Sequence, residues 1–565
     1  MMRWLGISLF LCLIFLPSIC RGDDYSDSQL NKGIRNSEAY SYVLIGKAHE
    51  DNANEVELLK KALLYSPDLP AVYFELSKAV FSLSGPGILK SVDYAILGLD
   101  AYSRNSWWTF TLLGSMFINL IFSFAIATAM VVVVRLFTDI PLITHDIEET
   151  NSRGLIFFMI MVLSLASPLL FLGGILILLG LYMKRCDRFT VYLFLFFLVI
   201  YPLFSTAAAR YVSALSSGDL KAIVKVNDGE GNDYAISVLK KGGDYPSLYS
   251  YALALKRDGR YDEAINVYKG MLDKKKDPRI YVNLGNCYVG LYNFEEGKKS
   301  VLREAINAYT SAVDMKPLPS AYYNLSQVSR EMLDFAAGEE YFESALALDR
   351  VAVSGYRAIA GRNANRFVID ETLTPAEMWN AGNWKNGGSS LQGVAAVPPS
   401  AVSLAGIILF ATFYFLDSLW HQRAFRCRKC GTILCFKCEK TLMWGEMCSQ
   451  CYRSLVKLDE LDVKERVSWL LGIYEKQRKH RETIKVLSFV LPGLSFVYAG
   501  RVLAGFLFLW VFLFFLLLPV TLWMFVPDSQ IVSHHFFRWA SLYISAVLYL
   551  IIHYITRKRV AKGWL

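Results

Sequence analysis

The chain has 565 residues, is 54% hydrophobic and only 19% charged, and carries a formal net charge of +9. That balance excludes a single soluble globule and fits polar domains alternating with membrane spans. The basic excess gathers beside apolar runs, at Arg423 to Lys429, Lys476 to Arg481 and Arg557 to Lys562. This is the positive-inside bias of a membrane protein, not a nucleic-acid-binding face.

Residues 1–22 read as a signal peptide: one early Arg, an apolar stretch from Leu5 to Leu16, then Pro17 and small residues. Residues 23–106 are then an extracytoplasmic helical domain. Long apolar runs follow at Trp107–Val134, Leu155–Met183, Val191–Ala207, Ala401–Leu419, Leu503–Phe525 and Trp539–Ile555. Each is near or above the roughly 20 residues that a spanning helix needs. Residues 107–207 are therefore membrane helices with a loop at 135–153, 401–420 is one more, and 486–565 is a C-terminal membrane region with a basic tail. Val486–Tyr498 is shorter and interrupted by Pro492 and Gly493.

Counting sides gives a conflict. The basic tail and the segment 421–485 read as cytoplasmic, which puts 208–400 outside. Three crossings between Trp107 and Ala207 put it inside. A re-entrant hairpin at Leu155–Met183, turning on Ser167-Pro168 and Gly173-Gly174, removes the conflict and satisfies every short-loop charge. A crossing by Val486–Tyr498 is the other repair, and one tilted helix of about 42 Å is the plainer local reading of Leu155–Met183.

Between the apolar runs the sequence repeats itself. LPAVYFELSKAV from Leu69 aligns without gaps to LPSAYYNLSQVS from Leu318, with Pro opening a helix at its first turn. GRYDEAINVYKGML from Gly259 matches LREAINAYTSAVDMKP from Leu302: Ala264 or Ala305 is followed four residues later by Tyr268 or Tyr309. Leu284, Gly285 and Tyr288 supply the facing small/large pattern. This resembles the tetratricopeptide repeat, a helix–turn–helix of roughly 34 residues. The resemblance implies an α-solenoid over 208–350, with one or two further repeats in 23–106 and a concave face for protein partners. Asn283, Asn286 and Asn324 are candidate partner contacts on an exposed face, or else turn and capping residues. Residues 351–400 form a Gly/Ser/Pro-rich linker.

Six of the ten cysteines cluster, spaced Cys427-x2-Cys430-x4-Cys435-x2-Cys438-x9-Cys448-x2-Cys451. Paired CxxC knuckles read as a metal site, and zinc takes four ligands. The run resembles the core of FYVE-type treble-clef zinc fingers, whose first cysteine pair has no counterpart here. Carried over position by position, that resemblance implies that Cys427, Cys430, Cys448 and Cys451 share one Zn2+. Cys435 and Cys438 are then a possible second pair without partners. The basic stretch HQRAFRCRK lacks the paired histidines of a specific lipid motif, so Arg423, Arg426 and Arg428 are expected to meet anionic membrane lipid non-specifically.

No motif of an enzyme is present. His145, Asp146, Glu148 and Glu149 form an acidic loop that could bind metal or move protons, but a solvated polar loop explains it. The expectation is therefore a mainly α protein of a bacterial inner membrane: multi-pass helices, an α-solenoid and a small zinc knuckle. It would be a non-catalytic scaffold that assembles protein partners and meets membrane lipid. A redox or zinc sensor using Cys435 and Cys438, or a membrane transferase or transporter, are the alternatives.

Overall fold

The computed structural model describes residues 24–51, 53–150, 161–216, 218–231, 233–294, 298–360, 368–382, 398–419, 424–427, 429–435, 447–455, 463–525 and 534–562. Nearly all of it is α-helix; the one sheet among the described residues is a two-stranded hairpin. The signal-peptide region 1–22 and Cys438 lie outside the described residues. The chain divides into two compact units, each built from separated stretches of sequence.

The first unit takes residues up to Thr111 and Ala214–Trp384. The segments 23–106 and 208–350, separate in the sequence reading, thus belong to one body. Its helices come in antiparallel pairs: Glu38–Glu50 with Glu55–Tyr65, Pro70–Ala79 with Gly85–Arg104, and Gly218–Asn227 with Asp233–Leu239. Tyr245–Asp258 then pairs with Tyr261–Leu272, Pro278–Phe294 with Lys299–Met315, and Pro319–Glu331 with Phe335–Leu348. Arg350–Ala360 follows the last pair. The small/large pattern does what its chemistry predicts: Ala264, Ala305 and Ala312 are fully buried, and so are Tyr268 and Tyr309. A Cβ on Gly285 would come within 2.4 Å of the Tyr309 ring, so only glycine lets these two helices approach.

Polar bonds tie the N-terminal pairs to the rest of the unit. The backbone N–H groups of Arg35 and Asn36 donate to the Gly229 carbonyl at 2.8 and 3.1 Å. Lys225 bridges Glu38 at 2.5 Å and Glu230 at 2.8 Å, all three buried or nearly so. Asp228 accepts from the backbone N–H groups of Ser106 and Trp107 at 3.0 and 2.9 Å, capping the helix that starts at Ser106.

Two carboxylates on one lysine leave an excess acid. Burial pushes the Glu230 carboxyl up to about 8, Lys225 opposing and Glu38 adding to the rise. A carboxyl raised on folding contributes stability that is whole below its ordinary value near 4.5 and is lost as pH climbs through about 8. Glu230→Gln should therefore flatten the melting temperature between pH 5 and 8 and raise it at pH 8 by roughly 5 °C. Melts of the purified chain at pH 5, 6.5 and 8 check this; an unchanged slope would refute it.

The second unit is a helical bundle with an apolar core around Phe124, Phe194, Leu198, Phe413 and Phe506. Among the described residues, five helices are long and apolar enough to cross a membrane: Ser106–Asp146, Phe189–Ser216, Pro399–Leu419, Val502–Met524 and His535–Ala561. Neighbours run antiparallel. Along the first two, Phe117 meets Phe204 and Phe124 meets Phe197. Along the second and third, the Ser403 hydroxyl donates to the Val199 carbonyl, while Arg188 pairs with Asp417.

Leu155–Met183 is not one tilted helix. Ser167 interrupts it, its hydroxyl accepting from the Leu169 N–H at 3.3 Å, and Pro168 opens a new helix that ends at Gly180. Thirteen residues rise only about 20 Å, too little to cross a hydrocarbon core of roughly 30 Å. Val486–Tyr498 is also broken: one helix stops at Val490, Gly493 turns the chain with a φ of 99°, and a five-residue helix follows.

Candidate functional site: a filled groove and a four-thiol centre

Asn283, Asn286 and Asn324 stand on the first helices of two successive pairs. They are not exposed, as the sequence reading had them; all three are fully buried. What buries them is the chain's own segment Val368–Thr374, part of the stretch read as a linker. The Asn324 side chain accepts from the Ile369 N–H at 2.8 Å and donates to the Ile369 carbonyl at 2.9 Å. Asn283 treats Glu371 the same way, at 2.9 and 2.9 Å. The Leu373 N–H donates to Asn227 at 2.8 Å. The chain is thus gripped at every second residue, the period of an extended strand.

Further groups complete the grip. Asn286 donates to the Ile369 carbonyl and to the Asp370 carboxylate, both at 2.8 Å. The Tyr249 hydroxyl donates to the Glu371 carbonyl at 2.7 Å. Asp370 is paired with Lys256 at 2.7 Å and with Arg257 at 3.6 Å, every one of these side chains at most 6% exposed. Burial alone would push the Asp370 carboxyl up; the two cations more than offset it and hold it below the usual carboxylate value. Ser320 donates to the Glu371 carboxylate at 2.5 Å. Downstream, Thr374 caps a short helix, Pro375–Asn380, with Glu377 completing a capping box. Arg279 grips Glu377 through two bonds of 2.8 and 2.9 Å and holds its carboxyl down to about 2. Beside the segment lies a cavity of about 750 Å³, lined in part by Arg35, Arg104, Asp68, Asp228 and Tyr356.

Residues 233–329 match the family described as Tetratricopeptide Repeats-Sensor, and 319–351 match the Tetratricopeptide repeat. The helical pairs of 233–351 are tetratricopeptide repeats. No curated protein matches the chain. The matched repeats hold Asn283, Asn286, Asn324, Lys256 and Arg257, whereas the segment they grip begins after the matched residues end.

The second centre lies in the other unit. Strands Phe425–Arg426 and Ile433–Leu434 pair antiparallel, with Phe425 opposite Leu434. Gly431, at a φ of 72°, makes the knuckle between them, and its N–H donates to the Cys427 carbonyl at 2.8 Å. That turn presents Cys427 and Cys430 to Cys448 and to Cys451, which lies on the helix Ser449–Leu455. The sulfurs of these four cysteines lie within 4.8 Å of one another, the one such group among the described residues. Cys430 and Cys448 are 3.6 Å apart.

The residues fit a metal ion. Sulfurs at about 2.3 Å from one tetrahedral ion stand roughly 3.8 Å apart. The N–H groups of Cys448 and Cys451 point at the sulfurs of Cys427 and Cys448, both at 3.4 Å, as suits thiolates. Burial raises the Cys427 thiol, but backbone N–H groups more than offset it and bring it to about 6; burial pushes Cys448 up to about 11. Trp469, Ile473, Leu434 and Met447 pack around the four sulfurs.

Cys435 is placed elsewhere, buried against Leu142 and Ala424 with Tyr182 beside it. The stretch read as a loop at 135–153, with the acidic loop at His145 to Glu149, is instead helix as far as Thr150, continuing the span that starts at Ser106; there the Asp146 carboxylate accepts from the Ala424 N–H at 3.0 Å and from the Tyr182 hydroxyl at 2.9 Å. Arg426 donates to the Thr138 carbonyl. Arg423 and Arg428 lie outside the described residues, and so do the side chains of Glu148 and Glu149.

Proposed function

We propose that the chain is a scaffold embedded in the cytoplasmic membrane of a bacterium. Its tetratricopeptide solenoid binds extended segments of partner proteins, a structural Zn2+ holds the hairpin at Cys427, Cys430, Cys448 and Cys451, and the chain has no catalytic chemistry of its own. The observation that carries the reading is the asparagine ladder, which bonds to main-chain atoms and so suits an extended chain of another protein as well as its own. Zinc is favoured over other ions because four thiolates at tetrahedral spacing suit a thiophilic, redox-inert cation.

We place the solenoid outside the cytoplasm on the following grounds. Because Ser106–Thr150 and Phe189–Ser216 run antiparallel, and the apolar helix between them is too short to cross, the start of one and the end of the other share a side. The joining of 24–105 and 218–384 in one unit supports the same parity. The zinc hairpin and the C-terminus are then cytoplasmic. There a cleft of about 550 Å³ gathers Arg478, Arg481, Lys485 and Arg557 around one acid, Glu482, and we assign it to anionic lipid headgroups.

Two experiments test the reading. An impermeant maleimide should label the exposed Cys186 only from the cytoplasmic side, and a cysteine at Asp262 only from the outside; the reverse pattern would overturn the topology. Cys287 cannot serve, since it is buried and burial pushes its thiol far up. For the scaffold, the triple variant Asn283→Ala, Asn286→Ala, Asn324→Ala should lose stoichiometric co-purifying partners while the zinc content stays constant. An unchanged partner profile would sink it.

A further inference from the structure

We infer that Val368–Thr374 is a latch. It fills the repeat groove as a peptide bound in cis, and the groove's partner is an extended acidic segment of another protein, of the pattern apolar–Asp–Glu, that takes its place. This rests on the scaffold reading and adds the chemistry of the partner and the regulation of the site.

Three observations carry it. First, the solenoid holds the segment as a binding surface holds a ligand. Five of its bonding atoms are main-chain atoms, namely the N–H and carbonyl of Ile369, the N–H and carbonyl of Glu371 and the N–H of Leu373. Any extended chain offers these atoms. Second, the occupant's sequence is read mainly through its acids: Asp370 by Lys256 and Arg257, Glu371 by Ser320. Buried cations of this kind exclude a neutral or basic occupant, because they would be left unpaired. Third, the cavity of about 750 Å³ runs beside Val368 to Thr372 and leaves an incoming chain room to begin pairing before the latch has left.

In the latched state a partner competes with a ligand tethered at high effective concentration. The groove then opens only to a partner that is abundant, multivalent or helped by a second contact.

The test uses the full chain in detergent micelles and a fluorescein-labelled peptide of sequence VIDETLT. The variant Ile369→Pro with Glu371→Pro removes the two N–H groups that donate to Asn324 and Asn283 and leaves every groove residue in place. It should bind the peptide at least tenfold more tightly than the unmodified chain. Adding Asn286→Ala and Asn324→Ala should abolish the gain, and the peptide VINETLT should bind at least tenfold more weakly. Equal binding by the latched and proline chains would overturn the proposal.

A proline variant that unfolds is covered by a second measurement on the unmodified chain. The amides of Ile369 and Glu371 should exchange with deuterium at least tenfold faster than those in the middle of Pro278–Phe294. Exchange as slow as that helix would make the segment a permanent part of the core and refute the latch. The two readings fail separately. Slow exchange without peptide uptake removes the latch and leaves the scaffold, whereas peptide uptake with an unchanged partner profile removes the scaffold and leaves an internal latch.

Discussion

On the proposed zinc assignment, Cys451→Ser should reduce bound zinc from one ion per chain to below about a tenth of that, measured by metal analysis of the purified protein. Cys451 is fully buried, and its loss leaves three thiols and no closed tetrahedron. Structural zinc sites supply an apparent free energy of roughly 10–16 kcal/mol at neutral pH, far more than a two-stranded hairpin can gather from its own contacts. The hairpin and the helix Ser449–Leu455 should therefore lose their fixed structure with the metal. Trp469, which packs on the cluster, should report it as a red shift in fluorescence, and a strong chelator should give the same shift in the unmodified chain. Cys435→Ser is the control: its thiol packs with Leu142 and Ala424, so zinc content should stay at one. A halved zinc content in that variant would overturn the ligand assignment. A metal content that falls under mild oxidant only when Cys435 is present would instead favour the sensor alternative.

Asp370→Ala should lower the stability of the solenoid by about 3–5 kcal/mol, because it leaves Lys256 and Arg257 buried without their anion. For a body of this size that is a fall in melting temperature of roughly 10 °C. Replacing Lys256 as well, as Asp370→Ala with Lys256→Met, should recover part of the loss, since one uncompensated charge goes with it. If Asp370→Ala costs less than 1 kcal/mol, the segment is already leaving the groove often enough for the two cations to be hydrated, and the latch is weak. Thermal or urea unfolding of both variants, measured side by side at one pH, separates these outcomes.

The repeat pairs were legible because their signal is local. Small residues at Ala264 and Ala305, with tyrosines four positions on, recur at helical spacing, and packing needs nothing from distant sequence to make that pattern useful. The CxxC knuckles were legible for the same reason: a turn at Gly431 fixes Cys427 and Cys430 within one short stretch. The asparagines were noticed but misplaced, because an asparagine on a helix reads as exposed unless its partner is known. The partner of Asn283 lies 88 residues away at Glu371, in a segment with no periodicity of its own. Nothing in ETLTP marks it as the filling of a groove.

The sequence by itself determined what short-range chemistry encodes: spans long enough for a membrane, helical pairs, and a cysteine set ready for a metal. Only the tertiary structure decided three things. It joined the N-terminal pairs to the later repeats through Lys225, Glu38 and Asp228. It broke Leu155–Met183 at Ser167, leaving a piece too short to cross. It also laid Val368–Thr374 along the asparagine ladder. Each depends on main-chain donors and acceptors meeting partners far away in the chain. Backbone groups are the same in every residue, so the letters of a sequence carry almost no record of which ones will pair.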